Sequence, residues 1–427
     1  MTGIPPCPDF RQPQVLLAHM RHTLAFYAPR ARDPSGGFFH FFKDDGSVYD
    51  RRTRHLVSST RFVFNQAVAW RWFNAPMDDV AHALAFVRGA HAQPQQGYAW
   101  LLDWQAGQAR VIDSSNHCYG LAFVLLAHAH AAQAGVAGAR EGIAETFELM
   151  ERRIWQPAYS LYADEATPDW QLSPYRGQNA NMHACEAMLA AHAATGEARY
   201  LDRALLLATS ITQRQAALAG GLIWEHYHED WSPDWDYHRH DKTNIFRPWG
   251  FQTGHLTEWA KLLLQLDRRL GEAAPSWLLD TARRLFDAAM QHGWDSAHGG
   301  LVYGFAPDES ASPPLKGAEA DLGTGPATSF TVCDGDKYFW VQAESLGAAA
   351  WLAVRSGEPV YWDWYQRIWA YVWQHFIDHE HGAWYRILSP SNAKLSNEKS
   401  PAGKTDYHTM GACQDVLAAL GVQPPAR

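Results

Sequence analysis

Two kinds of apolar helical pattern alternate along the chain. In the first kind, apolar residues follow the helical period on one face and charges occupy the other, which predicts amphipathic helices that cover a core. In the second kind, apolar residues occupy nearly every face, which predicts buried helices. The amphipathic segments are residues 14–26, 77–89, 140–154, 198–215, 275–291 and 360–376. The buried segments are residues 57–74, 115–134, 178–195, 253–270, 338–356 and 407–421.

A short motif of glycine followed by aromatic or apolar residues separates the two kinds of segment. Its occurrences lie roughly 60 to 80 residues apart, which indicates one supersecondary unit used six times. They are Gly36-Gly-Phe-Phe39, Gly97-Tyr-Ala-Trp100, Ser160-Leu-Tyr162 without the glycine, Gly220-Gly-Leu-Ile-Trp224, Gly299-Gly-Leu-Val-Tyr303 and Gly382-Ala-Trp-Tyr385. Each is long enough only for a turn with a small pair of strands.

Burying six helices beneath six others favours a closed toroid of inner and outer helices. An open solenoid is an alternative, although solenoids usually show tighter periodicity and polar end caps. The composition is uniform and no linker separates two halves. We therefore predict one catalytic domain over residues 1–427, all-α, with short β-hairpins in the loops at one mouth.

Charge and cysteine usage narrow the function classes. The net charge is -9 with 19% charged residues, so no basic face suggests nucleic acid or an anionic membrane as partner. The five cysteines are dispersed without metal spacing and read as free thiols in a reducing compartment. The N-terminal residues lack the pattern of a secretory signal, so we expect a cytoplasmic protein.

One segment, residues 119–139, contains no charge and is long enough to span a membrane. It nevertheless carries His128, His130 and Gln133, and it coincides with a predicted inner helix. We therefore predict a buried helix there and no membrane contact.

In a toroid of this kind the loops before the inner helices meet at one mouth, so polar residues at the inner-helix starts should converge there. His255 and Glu258 lie one helical turn apart at such a start, and His183 and Glu186 repeat this spacing. Histidines, arginines, amides and aromatics in one cavity suit a neutral, hydroxyl-rich ligand. The residues at these starts are Arg61, Tyr119, Asn179, His183, His255, Glu258, Trp340, Gln342, Glu344 and His408, with Arg247 just ahead of one start.

The residues alone leave several chemistries open. The 22 histidines allow a metal enzyme, although pairs such as His226 and His228 have no fixed third ligand. A glycoside hydrolase could use paired carboxylates, and a sugar-binding protein without catalysis would also explain the 20 tryptophans. The repeat-related positions hold imidazoles more often than acids, which favours abstraction of a carbon-bound proton next to a carbonyl. No glycine-rich or Walker loop indicates a nucleotide cofactor.

Four longer motifs follow one another along the chain. They are Arg176-Gly-Gln-Asn-Ala-Asn-Met-His183, Arg247-Pro-Trp-Gly-Phe-Gln-Thr-Gly-His-Leu-Thr-Glu-Trp259, Lys337-Tyr-Phe-Trp-Val-Gln-Ala-Glu344 and Asp406-Tyr-His408. In this order they resemble the N-acylglucosamine 2-epimerase superfamily, and within it the aldose–ketose isomerase branch, which includes isomerases of mannose and sulfoquinovose. The resemblance covers nearly the whole chain. It implies an (α/α)6 barrel and interconversion of D-mannose and D-fructose, or of related sugars such as D-lyxose, without metal or other cofactor.

The resemblance also implies site residues. His255 and His408 match catalytic positions, with His183 and Glu258 beside them. The matches to substrate-contacting positions are Arg61, Asn179, Arg247, Trp340 and, more loosely, Tyr119, because Leu121 stands where the family often has histidine.

We predict that His408 assists ring opening, that His255 takes the C2 proton to form a cis-enediolate, and that Glu258 orients His255. Arg61 or Arg247 would stabilise the enediolate charge, with His183 as a further donor. A 2-epimerase of the mannose, N-acylglucosamine or cellobiose type would use the same residues, so it remains an alternative, as does the hydrolase. Whether the chain forms a homo-oligomer is left open.

Overall fold

The computed structural model describes residues 4–28, 30–94, 97–241, 244, 247–308 and 329–426. Within these ranges the chain forms twelve α-helices that alternate between an outer and an inner position. The outer helices are α1 (Pro13–Tyr27), α3 (Met77–Phe86), α5 (Ala139–Arg153), α7 (Ala198–Thr209), α9 (Trp277–Gly293) and α11 (Pro359–His375). The inner helices are α2 (Leu56–Phe73), α4 (Cys118–Gln133), α6 (Gln178–Thr195), α8 (Thr253–Leu270), α10 (Phe339–Ser356) and α12 (Tyr407–Ala419).

The inner helices form a closed ring. Each packs against the next from α2 to α12, and α12 returns to pack against α2. The outer helices α1, α3, α5, α7 and α9 each pack against two neighbouring inner helices, and α11 packs against α10. In α4, Leu121, Phe123 and Leu125 are all buried, as an apolar inner helix requires. Each such side chain contributes about 1.5–3 kcal/mol on burial.

Short antiparallel strands lie in the loops. They are β1 (Phe41–Lys43), β2 (Val48–Asp50), β3 (Thr53–His55), β4 (Leu101–Gln105), β5 (Gln108–Asp113), β6 (Asn116–His117), β7 (Trp155–Gln156), β8 (Leu161–Tyr162), β9 (Glu165–Ala166), β10 (Arg176–Gly177), β11 (His226–Tyr227), β12 (Phe251–Gln252), β13 (Gly304–Pro307), β14 (Phe330–Asp334), β15 (Lys337–Tyr338), β16 (Ile387–Leu388) and β17 (Glu398–Ser400). They pair in the orders β17-β1-β2, β3-β4-β5, β6-β9, β7-β8, β10-β11, β12-β13-β14 and β15-β16.

Five of the inner helices begin at the residue after a strand, and this fixes where their first side chains lie. The strands β3, β6, β10, β12 and β15 lead directly into α2, α4, α6, α8 and α10. The sixth inner helix, α12, begins instead after Thr405 and Asp406, whose φ angles are 44° and 53°. The Asn65 Nδ2 atom donates to the Thr405 carbonyl at 2.6 Å and holds this bend.

The glycine motifs form turns that reverse the chain after outer helices. Single β-bridges join Arg32 to Phe38 and Trp294 to Leu301 across two of these turns. Gly300 has a φ of 80°, and a Cβ there would lie 2.3 Å from the Tyr371 ring, so no other residue fits the turn.

The all-α fold class and the six-plus-six arrangement are confirmed, with helix boundaries within about three residues except at two outer helices. The segments predicted as 77–89 and 198–215 end in π-helical turns, Val87–His91 and Ser210–Gln215. In the described ranges no helix has both the length and the apolarity that a bilayer crossing needs. The segment from Phe305 to Asp336, in which we expect differences in substrate choice to lie, includes residues 309–328, which are outside the described residues.

Candidate active site

His255 lies in the first turn of α8, with its ring fixed by a carboxylate from the loop before β11. Its Nδ1 atom lies 2.9 Å from Oε2 of Glu225 and 3.0 Å from the amide nitrogen of Gln178. A carboxylate only accepts, so Nδ1 carries the hydrogen and donates it to Glu225. The Nε2 atom has no hydrogen-bond partner among the described residues. The prediction that Glu258 orients His255 is therefore wrong, because Glu225 occupies that place.

His408 lies at the start of α12 between a carboxylate and a guanidinium. Its Nδ1 atom lies 2.6 Å from Oε1 of Glu344, and its Nε2 atom lies 3.1 Å from Nη2 of Arg61. A guanidinium only donates, so Nε2 accepts and Nδ1 carries the hydrogen. Burial, together with the nearby Arg61 charge, lowers the pKa of His408 well below its ordinary value. The ring is therefore neutral.

Trp340 stands between these two histidines. Its ring centroid lies 5.1 Å from that of His255 and 5.8 Å from that of His408. A Cβ at Gly254 would lie 2.3 Å from the Trp340 ring, so only glycine at this position lets the indole pack against α8. The inner-helix starts thus place two imidazoles next to the same indole ring.

His183 joins the group from α6, with its ring centroid 6.4 Å from that of His408. Its Nδ1 atom lies 3.0 Å from Glu186 and 3.9 Å from Glu258. Burial raises the pKa of a carboxyl, but hydrogen bonds from His183 and from Tyr407, at 2.6 Å, hold the pKa of Glu186 below its ordinary value. Glu186 is therefore ionised. The three predicted histidines lie together, as the sequence predicted.

Glu258 differs from the other carboxyl groups of the site. Both of its oxygens are buried without a hydrogen-bond partner among the described residues. Burial, and next the neighbouring charge of Glu344, raises the pKa of Glu258 well above its ordinary value. Glu258 is therefore a neutral carboxylic acid at neutral pH.

A buried lysine compensates the charge behind His408. The Lys261 ammonium bonds to Oε2 of Glu344 and lies 3.3 Å from Asp415. Burial opposes the charge on Lys261, but these carboxylates outweigh it and raise the pKa of the ammonium well above its ordinary value. Burial raises the pKa of Asp415 to about 6.

These side chains include groups that could hold a cation. The ligand atoms of His183, Glu186 and Glu258 lie within 4.8 Å of one another, as do those of Glu258, Glu344 and His408. Histidine and carboxylate ligands suit several divalent metals. Lys261 already supplies positive charge to Glu344 in the second group. Metal independence therefore stays a prediction.

Of the five predicted substrate-contacting residues, three adjoin the histidines, and the other two are set differently. Arg61 donates to the Gly403 carbonyl and to the Tyr119 hydroxyl, so Arg61, Tyr119 and Trp340 all adjoin the histidines. Asn179 lies in the first turn of α6, where its Oδ1 atom is buried without a partner among the described residues. Arg247 forms an ion pair with Glu165 and lies 4.0 Å over the Tyr175 ring, so its charge is already compensated.

Sequence reasoning missed Glu225, Gln178 and Lys261. Gln178 immediately precedes the predicted Asn179, and its oxygen accepts from the Trp259 indole at 2.7 Å. Lys261 follows Glu258 on α8 by three residues, a spacing that signals proximity on a helix face. Glu225 carries no comparable signal, because it lies 30 residues from His255.

Comparisons with known proteins agree over nearly the whole chain. The family model described as N-acylglucosamine 2-epimerase (GlcNAc 2-epimerase) matches residues 37–412. The D-mannose isomerase of Marinomonas mediterranea is 50% identical over 418 residues, covering 97% of this chain and 99% of that protein. A crystal structure of a D-mannose isomerase has a TM-score of 0.88 at 50% identity, covering 96% and 99% of the two chains. The cellobiose 2-epimerase of Spirochaeta thermophila has a TM-score of 0.80 at 22% identity, covering 97% and 98%, which is a likeness of fold.

Proposed function

Because the chain belongs to the N-acylglucosamine 2-epimerase family, we propose that it is an aldose–ketose isomerase that interconverts D-mannose and D-fructose without a metal. Related sugars such as D-lyxose are further proposed substrates. The proposal extends to a single catalytic domain over residues 1–427 that works in the cytoplasm, which the five free cysteines support. The D-mannose isomerase of Marinomonas mediterranea, which is 50% identical to this chain, supports isomerisation over 2-epimerisation.

The observation that carries the proposal is the pair of imidazoles that both pack next to Trp340. Each has its Nδ1 atom on a carboxylate, Glu225 for His255 and Glu344 for His408. In each ring Nε2 is therefore the nitrogen without a hydrogen, which can take a proton from a ligand. Nε2 of His255 has no hydrogen-bond partner among the described residues, whereas Nε2 of His408 accepts from Arg61 at 3.1 Å and would have to release that bond. Two such nitrogens facing one sugar can serve the oxygen and carbon proton transfers separately.

The proposed reaction begins with ring opening, in which His408 moves a proton between the anomeric hydroxyl and the ring oxygen. His255 then removes the C2 proton, and the electron pair of that bond forms the C1–C2 double bond as negative charge develops on the C1 oxygen. Arg61 stabilises this charge, with the neutral acid Glu258 as a further hydrogen-bond donor. His183, which the sequence suggested as a donor, cannot serve as one, because the hydrogen of its neutral ring lies on Nδ1 and is donated to Glu186. His408 then moves the proton on O2 to the C1 oxygen, and the proton held by His255 returns to C1, which gives the ketose.

The remaining proposed contacts hold the sugar. Trp340 offers its face to the apolar side of the open chain, and Tyr119 and Asn179 offer polar groups to hydroxyls. Arg247 is proposed as an outer contact, because its own charge is balanced by Glu165.

The test is incubation of the protein with D-mannose in heavy water, followed by identification of the products by NMR. We expect fructose, with deuterium at C1 to the extent that the proton on His255 exchanges. Glucose labelled at C2 without fructose would show a 2-epimerase instead. Turnover that is lost on prolonged chelation and restored by zinc or manganese would overturn metal independence.

A further inference from the structure

The carboxylate behind His255 has an unusual setting. Oε2 of Glu225 accepts from His255 at 2.9 Å and from the Gln178 amide at 2.9 Å. The other oxygen, Oε1, is buried without a hydrogen-bond partner among the described residues. Among the described residues, no lysine or arginine forms an ion pair with Glu225. Its negative charge is therefore held only by neutral donors.

The carboxylate behind His408 is set differently. Glu344 shares its charge with the buried ammonium of Lys261. A second cation, Arg61, lies 3.1 Å from the Nε2 atom of the same ring. Adding a proton to His408 would place a third positive charge beside these two, whereas adding one to His255 would create a buried ion pair with Glu225.

We infer that Glu225 is the positioning residue that makes His255 the stronger base of the pair, so that His255 takes the carbon-bound proton and His408 handles protons on oxygen. This inference rests on the proposed function. A buried carboxylate that accepts from Nδ1 fixes the tautomer and stabilises the imidazolium once Nε2 takes a proton. The C2 proton passes to Nε2 of His255 and later returns to C1, so Glu225 neither gains nor loses one.

A chain of neutral hydrogen bonds holds Glu225 in place. The Trp259 indole can only donate, and it does so to the Gln178 oxygen at 2.7 Å. The Gln178 amide must therefore turn its nitrogen toward Glu225. Trp259 follows His255 by four residues on α8, so one helix face carries both the base and the residue that orients its support.

The other titratable groups near His255 do not supply this effect. Burial lowers the pKa of His183, which is neutral, and Glu258 keeps its proton. Trp340, which packs on the His255 ring, has no charge. Glu225 is thus the charge that acts on His255 from the elements packed against it.

The substitution Glu225→Gln isolates the charge. A glutamine oxygen at the position of Oε2 can accept both existing hydrogen bonds, and its amide nitrogen falls where Oε1 has no partner. We expect kcat to fall about 10²–10⁴-fold with little change in KM. We also expect the acid limb of the kcat/KM profile to move to lower pH by about 1–3 pH units.

Two comparisons make the result specific. Asp267→Asn removes a carboxylate at the far end of α8, about 18 Å away at 1.5 Å per residue, and should leave both parameters unchanged. Gln178→Met keeps the Glu225 charge but removes its support, so kcat should fall while the acid limb stays in place. If Glu225→Gln fails to fold, a wild-type kcat in Gln178→Met would overturn the inference.

Nitrogen NMR of labelled histidines separates this inference from the proposed function. In the wild type we expect a hydrogen on Nδ1 of His255 in a hydrogen bond to the Glu225 carboxylate, and in Glu225→Gln we expect the resonance of that hydrogen to move because its acceptor loses the charge, whether or not mannose is turned over. Unchanged kinetics and an unchanged resonance in Glu225→Gln would overturn the inference. Equal shifts of the acid limb in Glu225→Gln and Glu344→Gln would also overturn it.

Discussion

Replacing Glu258 with glutamine should stabilise the protein while impairing catalysis. Both Glu258 oxygens are buried without partners among the described residues, and burial followed by the charge of Glu344 raises the pKa of this carboxyl. The folded protein therefore keeps a proton that the unfolded chain releases above its ordinary value of 4.5. Glutamine is neutral and nearly isosteric, so it leaves the charges around it unchanged.

The sign and size of the effect follow from this proton. A carboxyl with a raised folded pKa contributes stability that is fully present below the unfolded value and is lost as pH rises toward the folded pKa. Over that range the wild type loses about 1.4 kcal/mol of unfolding free energy per pH unit from this group. The Glu258→Gln variant lacks this loss, so the difference in unfolding free energy in its favour should grow by the same amount per pH unit.

The assay is urea unfolding of the wild type and Glu258→Gln at several pH values between 5 and 8. Glu148→Gln, an exposed glutamate on α5, is the control and should give a difference that does not change with pH. A flat difference for Glu258→Gln would refute the reasoning, because it would mean that Glu258 is ionised in the folded protein. In parallel, kcat should fall about 10²–10⁴-fold if the Glu258 proton serves the reaction.

Three further substitutions test the site. His255→Ala should reduce turnover of mannose to below a few per cent while sugar binding, measured by calorimetry, is largely retained; higher activity would argue against its role as base. Lys261→Met should lower the unfolding free energy by about 3–5 kcal/mol in urea at pH 7.5, because Glu344 and Asp415 lose their cation. The deficit should shrink as the pH falls, because Asp415, whose pKa burial raises to about 6 in the wild type, loses the lowering effect of Lys261 and takes up a proton more readily in the variant. Arg61→Met should lower kcat about 10²–10³-fold by removing a donor to the enediolate, as steady-state kinetics would show.

The helices could be predicted from the sequence because the hydrophobic pattern survives in each of them. An inner helix such as α4 must be apolar all round, and an outer helix must be amphipathic, so pattern and position are tied. The start of α4 was predicted too early because Asn116 and His117 form a strand instead. Strand pairing over two residues leaves no periodicity to read.

The histidines of the site could also be predicted, since a closed ring brings the inner-helix starts together. Glu225 could not. It follows the glycine and aromatic motif of its repeat, but the same place in other repeats holds residues as different as Leu101, Gly304 and Arg386. Its partner His255 lies 30 residues further along the same repeat, and local pattern does not encode a contact over that separation.

The structure indicates that the site lowers stability in two places. Glu258 keeps a buried proton without a hydrogen-bond partner, and α12 begins after two consecutive residues with positive φ, one of them the β-branched Thr405. Neither feature is needed to close the ring of inner helices. Each lies next to a histidine of the site. Glu258 lies near His183, and the bend at Thr405 precedes the first turn of α12, which carries His408. Such features persist where surrounding packing outweighs their cost, and the largely buried inner helices supply that packing. The ring of helices therefore provides both the geometry that assembles the imidazoles and the stability that tolerates their setting.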